Sequence, residues 1–161
     1  MRVAIVAVGR MKAGPERELM SRYLERAAAS GKPLGLTGFE VAEPAESRAS
    51  SAAARKAEEA RTIAQSLPAN AVIVALDEHG KAMTSPAFAT LVQRTRDDSR
   101  PAIAFVIGGA DGLDPTLIAQ ASTVLSFSPL TWPHQLVRIM LAEQLYRTTT
   151  ILSGHPYHRG D

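Results

Sequence analysis

Three short segments of this 161-residue chain carry the groups that could do chemistry. The first runs Val106, Ile107, Gly108, Gly109, Ala110, Asp111, Gly112, Leu113, directly after the apolar run Ala102 to Phe105. A strand ending in glycines brings backbone N–H and C=O groups within reach of a ligand at the carboxyl edge of a parallel sheet. The second is Leu125 to His134 (LSFSPLTWPH), and the third is His155 to Arg159 (HPYHR). Both hold more polar and aromatic groups than a core needs. Together the three predict a ligand crevice.

Each segment also has a plainer reading. The glycine pair lacks the G-x-G-x-x-G spacing of a dinucleotide fingerprint, and no Lys–Ser/Thr pair follows it as in a P-loop. That argues against hydride transfer and ATP hydrolysis, and leaves either a cofactor-facing turn or a simple strand-to-helix turn. In Leu125 to His134, Pro129 and Pro133 restrict the backbone while Ser126, Ser128 and Thr131 alternate with Phe127, Leu130 and Trp132. Such a loop can wrap an aromatic ring and offer peptide groups to its edge, or it can complete a core. His134 fits a helix start as well as it fits proton transfer. Arg138, one turn later, suits a phosphate or carboxylate partner, or a structural salt bridge. In the tail, an aromatic beside an arginine can stack on and anchor an unstacked base. His155 and His158 are three apart, but Pro156 spoils regular ligand geometry and no carboxylate cluster completes a shell, so no metal is expected.

The elements that position these segments follow from pattern. Arg2 to Val8 reads as a buried strand closed by Gly9. Pro15 with Glu16 and Glu18 starts a helix running to about Ala29, with Leu19, Tyr23 and Ala27 on one face. Leu34 to Val41 is a glycine-interrupted strand, and Ser47 to Leu67 a helix stopped by Pro68. The small apolar face of that helix is Ala53, Ala57, Ala60, Ile63, Ala64 and Leu67. Ala71 to Leu76 is a strand delivering Asp77 and Glu78 at its end, and Thr84 or Ser85 caps the next helix. Pro101 to Ile107 is apolar throughout, as in a strand covered on both faces. Asp114 and Pro115 open a short helix, Val124 to Phe127 forms a strand, and a helix spans about Pro133 to Thr149, packing through Leu136, Ile139, Met140 and Leu145. Five strand–helix alternations describe a three-layer α/β domain over residues 1–161 with a mostly parallel sheet.

Hydrophobic residues make up 45% of the chain, enough for a core and too many for disorder. The absence of cysteine excludes disulfides and thiolate chemistry. No apolar run reaches membrane length, so a soluble cytoplasmic protein is expected. The formal charge is only +2, but 14 of the 18 basic residues are arginine, which suits phosphate contacts and base stacking as well as solubility. Arg17, Arg22, Arg26, Arg48, Arg55 and Lys56 are candidates for such contacts, with helix solubility a comparable explanation for each.

The stretches VAIVAVGRMK (3–12), ALDEHGK (75–81), FVIGGADGL (105–113), LSFSPLTWPHQLVRIMLAEQLYR (125–147) and HPYHR (155–159), in this order, resemble the bacterial ribosomal RNA large subunit methyltransferase H family of the SPOUT group. The resemblance covers essentially the whole chain. It implies a trefoil-knotted C-terminal region, a homodimer, and methyl transfer from S-adenosylmethionine to N3 of a pseudouridine in helix 69 of 23S ribosomal RNA within the 70S ribosome. The cofactor residues it implies are Leu76, Gly108, Phe127, Ser128, Pro129, Leu130, Thr131 and Trp132. Where relatives often read GGPEG, this chain has Gly108 to Gly112 as GGADG, with a shorter acid and no proline. The expected catalytic group is His158, Tyr157, Arg159 and Arg138: histidine titrates near neutrality and can accept the N3 proton, the tyrosine can position the base, and the arginines can hold phosphate. A non-catalytic ribosome-binding or assembly factor, or a transfer-RNA methyltransferase, would share parts of this pattern.

Overall fold

Alternate residues of the central strands face opposite helical layers, which is what a strand apolar on both sides requires. The computed structural model describes residues 1–159, so the expected domain of 1–161 ends two residues outside them. Its elements are β1 (Arg2–Ala7), α1 (Pro15–Gly31), β2 (Thr37–Ala42), α2 (Ala52–Ser66), β3 (Ala71–Ala82), α3 (Ser85–Asp97), β4 (Ala102–Ile107), α4 (Pro115–Gln120), β5 (Thr123–Ser126) and α5 (His134–Ser153). The five strands form one sheet in the order β2-β1-β4-β3-β5, and every pair is parallel.

Val3, Ile5 and Ala7 of β1, with Ile103, Phe105 and Ile107 of β4, pack under α1, α3 and α5 through Met20, Leu24, Phe88, Val92, Leu141 and Leu145. Val6 and Val106 face the other way, against Ile63 of α2 and Leu117 of α4. Three layers result. Each fully buried aliphatic or phenylalanine side chain contributes about 1.5–3 kcal/mol, which makes the middle of the sheet its most stable part.

Several boundaries differ from the sequence reading. α2 starts at Ala52 because Ser51 caps it, its hydroxyl accepting from Ala54 N at 3.2 Å. Residues 43–50 instead form an extended strap. Leu34 closes a 3-10 turn, and β2 begins three residues later. α5 continues to Ser153, where Gly154 ends it at φ 69°, a left-handed conformation that favours glycine. Leu136 faces outward rather than into the core. Asp114 caps α4 as expected, its carboxylate accepting from Thr116 N at 2.8 Å.

β3 is the largest departure. It pairs with β5 at Leu76↔Leu125, leaves the sheet, and returns to pair Lys81 with the same Leu125. The intervening Asp77–Gly80 stands off as an arch. A Cβ on Gly80 would lie 2.7 Å from Val124 O and Leu125 C, so the two backbones lie in close contact there.

Candidate functional site

The carboxyl ends of β3, β4 and β5 open into a cleft of about 710 Å³. Its floor is Leu76, Ile107 and Leu125, buried as strand residues. One wall is the turn Gly108–Leu113, and the other is Ser126–Ser128 with Leu130–Trp132. Lys56, Asp77, Glu78, His79 and His134 stand around it.

Both walls are shaped by local chemistry. In the glycine turn, Gly112 N donates to Gly109 O at 3.0 Å, and Gly112 adopts φ 83°. A Cβ on Gly108 would sit 2.7 Å from Gly112 C, so only glycine lets the turn close this tightly. In the opposite wall, serine hydroxyls replace sheet bonds. Ser126 Oγ donates to Ser128 O at 2.9 Å and accepts from Ser128 N at 3.2 Å, and Ser128 Oγ accepts from Leu130 N at 3.0 Å. Thr131 Oγ1 donates to Glu78 Oε2 at 3.1 Å, joining this wall to the arch. The arch is held in turn by Asp77, which accepts from His79 N at 2.9 Å.

Seven of the eight residues expected at a cofactor line the cleft; Pro129 is exposed and does not. The expected catalytic residues are not there. Arg138 is 3% exposed, and its guanidinium donates to Glu43 Oε1 at 3.0 Å, Val8 O at 2.5 Å and Gly9 O at 2.8 Å. Of the partners its sequence position suggests, Arg138 takes a carboxylate within the chain, Glu43. Burial lowers its pKa, against the raising effect of Glu43 and then Glu46.

The tail folds back on the far half of α5. Tyr157 Oη donates to Glu143 Oε1 at 3.0 Å, and its ring centroid lies 4.7 Å from that of Tyr146. Arg147 lies over the Tyr157 ring, 4.9 Å from its centroid, and also donates to Glu143 at 2.5 Å. It approaches His158 Nδ1 at 3.4 Å. Burial, then the hydrogen bond to Glu143, pushes the Tyr157 phenol up to about 12. Arg159 is exposed. From His134 at the cleft to Glu143 at the tail is nine helical residues, about 14 Å. Glu143 and Arg147 went unnoticed in the sequence, although their i, i+4 spacing signals a helical ion pair.

Arg55 also departs from its expected RNA-facing role. It donates to Asp111 through Nε at 2.6 Å and Nη2 at 3.0 Å, beneath the glycine turn.

A family model described as "Predicted SPOUT methyltransferase" matches residues 1–158. The chain is 60% identical over 159 residues to a protein of Allorhizobium ampelinum named ribosomal RNA large subunit methyltransferase H, covering 99% of each. Its identity to the protein of that name from Agrobacterium fabrum is 55% over the same length, again 99% of each. Among solved structures, the probable methyltransferase of Bordetella pertussis superposes with a TM-score of 0.50 at 16% identity, over 91% of this chain and 95% of that one, which is a likeness of fold. With the family model running from the first residue into the HPYHR tail, the chain belongs to the SPOUT methyltransferase family.

Proposed function

We propose that this methyltransferase acts on ribosomal RNA of the large subunit, using S-adenosylmethionine as donor, at N3 of a pseudouridine in helix 69 of 23S RNA within the 70S ribosome. The observation that carries the reading is the cleft at the ends of β3, β4 and β5. It has an apolar floor, a turn with no room for a Cβ at Gly108, and a peptide-rich wall that includes Trp132. Its volume falls within the roughly 300–1,000 Å³ range of small-molecule sites. A donor with an adenine ring, a ribose and a charged amino-acid end fits such a mixture of backbone, apolar and charged groups. The relatives' printed name supplies the ribosomal RNA.

When bound, the cofactor supplies an electrophilic methyl group, so the protein's task is alignment, water exclusion and proton removal. Leu76, Gly108, Phe127, Ser128, Leu130, Thr131 and Trp132 would hold it, with Pro129 shaping the wall from outside. His158 would accept the N3 proton, directly or through water, as N3 is methylated. Tyr157 positions the base, and Arg159 holds a neighbouring phosphate. Arg138, paired with Glu43, serves this chemistry by anchoring α5 beside the cleft wall.

The separation of tail and cleft along α5 supports a homodimer in which each tail serves the other subunit's cleft. Leu130, Trp132 and Leu136 support it too: they are 64%, 37% and 42% exposed at the cleft-side end of α5, where a second copy would cover them. The close approach of the β3 arch to β5 at Gly80 is compatible with the implied trefoil knot within one domain. No helix of the described residues is long and apolar enough to cross a membrane, and an enzyme of ribosomes works in the cytoplasm. The test is labelled methyl transfer to undermethylated 70S ribosomes, followed by mapping of the modified nucleotide. Label on N3 of a helix 69 pseudouridine is expected. Label on purified transfer RNA instead, or none on ribosomes, removes the reading.

A further inference from the structure

Beside the buried Ile63, the covered side of α2 carries polar groups where the sequence pattern predicts alanines. Ala53, Ala57 and Ala64 are exposed, whereas Glu59 is 5% exposed and Arg55 is half-buried. Both lie under the glycine turn. Arg55 forms a two-pronged pair with Asp111, the turn's one charged residue, and its Nη1 donates to Ala49 O at 3.0 Å. Glu59 Oε1 accepts from Ser47 N at 3.0 Å, while Oε2 is buried without a hydrogen-bond partner among the described residues. That free oxygen lies 2.8 Å from where a Cβ on Gly109 would be, so the turn rests on the carboxylate.

We infer that Arg55 and Glu59 are positioning residues for cofactor capture, holding the Gly108–Gly112 turn, through Asp111 and against Gly109, in the shape that faces the cleft. A planar guanidinium binding a carboxylate through two nitrogens fixes direction as well as distance, which a lysine cannot do. The short acid at 111 makes that fit demanding, because the arginine must reach the turn itself. Consistent with the pairing, the Arg55 hydrogen bond holds the Asp111 carboxyl below the usual carboxylate range. Neither residue touches the reacting atoms. Their effect passes through the backbone of the turn, and the inference rests on the cleft being the cofactor site.

The experiment uses the full-length protein and S-adenosylhomocysteine as the probe, titrated by calorimetry into wild type, Arg55→Ala, Asp111→Ala and the double variant. Trp132→Ala serves as the check on the cleft. Amide exchange of residues 108–113 is followed in the free protein. Each single substitution is expected to weaken binding about fivefold, and the double variant no more than either single, since both remove one interaction. Exchange should quicken in the turn and stay unchanged in β4, and KM for the donor should rise with kcat preserved. Arg55→Lys should recover little. If Trp132→Ala weakens binding while Arg55→Ala and Asp111→Ala do not, or if their effects simply add, the positioning role is wrong and the cleft stands. Loss of ribosome affinity in Arg55→Ala with unchanged probe binding also overturns it, making Arg55 an RNA contact. If Trp132→Ala too leaves binding unchanged, the cleft assignment fails and this inference with it.

Discussion

Arg138 of α5 and Glu43 of the strap after β2 form a buried ion pair, 3.0 Å apart and 95 residues apart in sequence. Glu43 Oε1 also accepts from Met11 N at 2.8 Å, and Arg138 spans the carbonyls of Val8 and Gly9. The pair therefore fastens the end of β1 to the helix that follows the cleft wall. Removing one partner of a buried pair strands the other charge, at a cost of about 3–5 kcal/mol. Arg138→Ala should show this as a large fall in denaturant midpoint. Glu43→Gln keeps an acceptor for Met11 N and should cost less. A near-wild-type midpoint for Arg138→Ala would contradict the anchoring role.

Gly108→Ala should weaken cofactor binding sharply while preserving the sheet. Its new Cβ would meet Gly112 C at 2.7 Å, so the turn must open. Overpacking costs about 1–3 kcal/mol, enough to weaken binding about tenfold or more where the same backbone lines the site. Calorimetry with S-adenosylhomocysteine reads the affinity, and far-ultraviolet circular dichroism checks the fold. Full affinity in a folded variant would detach the glycine turn from the ligand.

Features encoded by neighbouring residues were legible before any coordinates. Asp114–Pro115 announces a helix start, the glycines after Phe105 announce a tight turn, and the Ser–Pro alternation of 126–133 announces a loop of its own making. What stayed hidden depends on distant partners. Nothing near Arg138 names Glu43. An alanine-rich helix does not declare which face is buried, so the setting of Arg55 and Glu59 beneath the glycine turn stays hidden. The tail's docking on Glu143 was equally invisible, because HPYHR can serve a nucleotide or a neighbouring carboxylate. The β3 arch presses against the backbone of β5, and only Gly80 hints at it.

The Tyr157 phenol makes tail docking sensitive to high pH. Its pKa is raised from an ordinary 10 to about 12, first by burial and then by the bond to Glu143. The folded state therefore holds this proton more tightly than the unfolded one. Its stabilisation is complete below pH 10 and is lost as pH rises toward 12. A phenolate absorbance titration should show one late-titrating tyrosine that disappears in Tyr157→Phe. A late tyrosine persisting in that variant would assign the shift to another phenol.

Activity recovered by mixing two inactive variants tests whether the tail works across subunits. Gly108→Ala removes the cleft but leaves the tail, and His158→Ala does the reverse. Each should be inactive as a homodimer. Co-refolding equal amounts makes about half of the dimers mixed, and each mixed dimer holds one complete pairing of an intact cleft with a partner's intact tail. Methyl transfer should return to roughly a quarter of wild type by that counting. Leu136→Glu added to both variants should abolish the recovery by parting the exposed apolar ends of α5. If each tail served its own cleft, every mixed dimer would still lack one half of each site. Mixing would then restore nothing, because no single chain unites an intact cleft with His158.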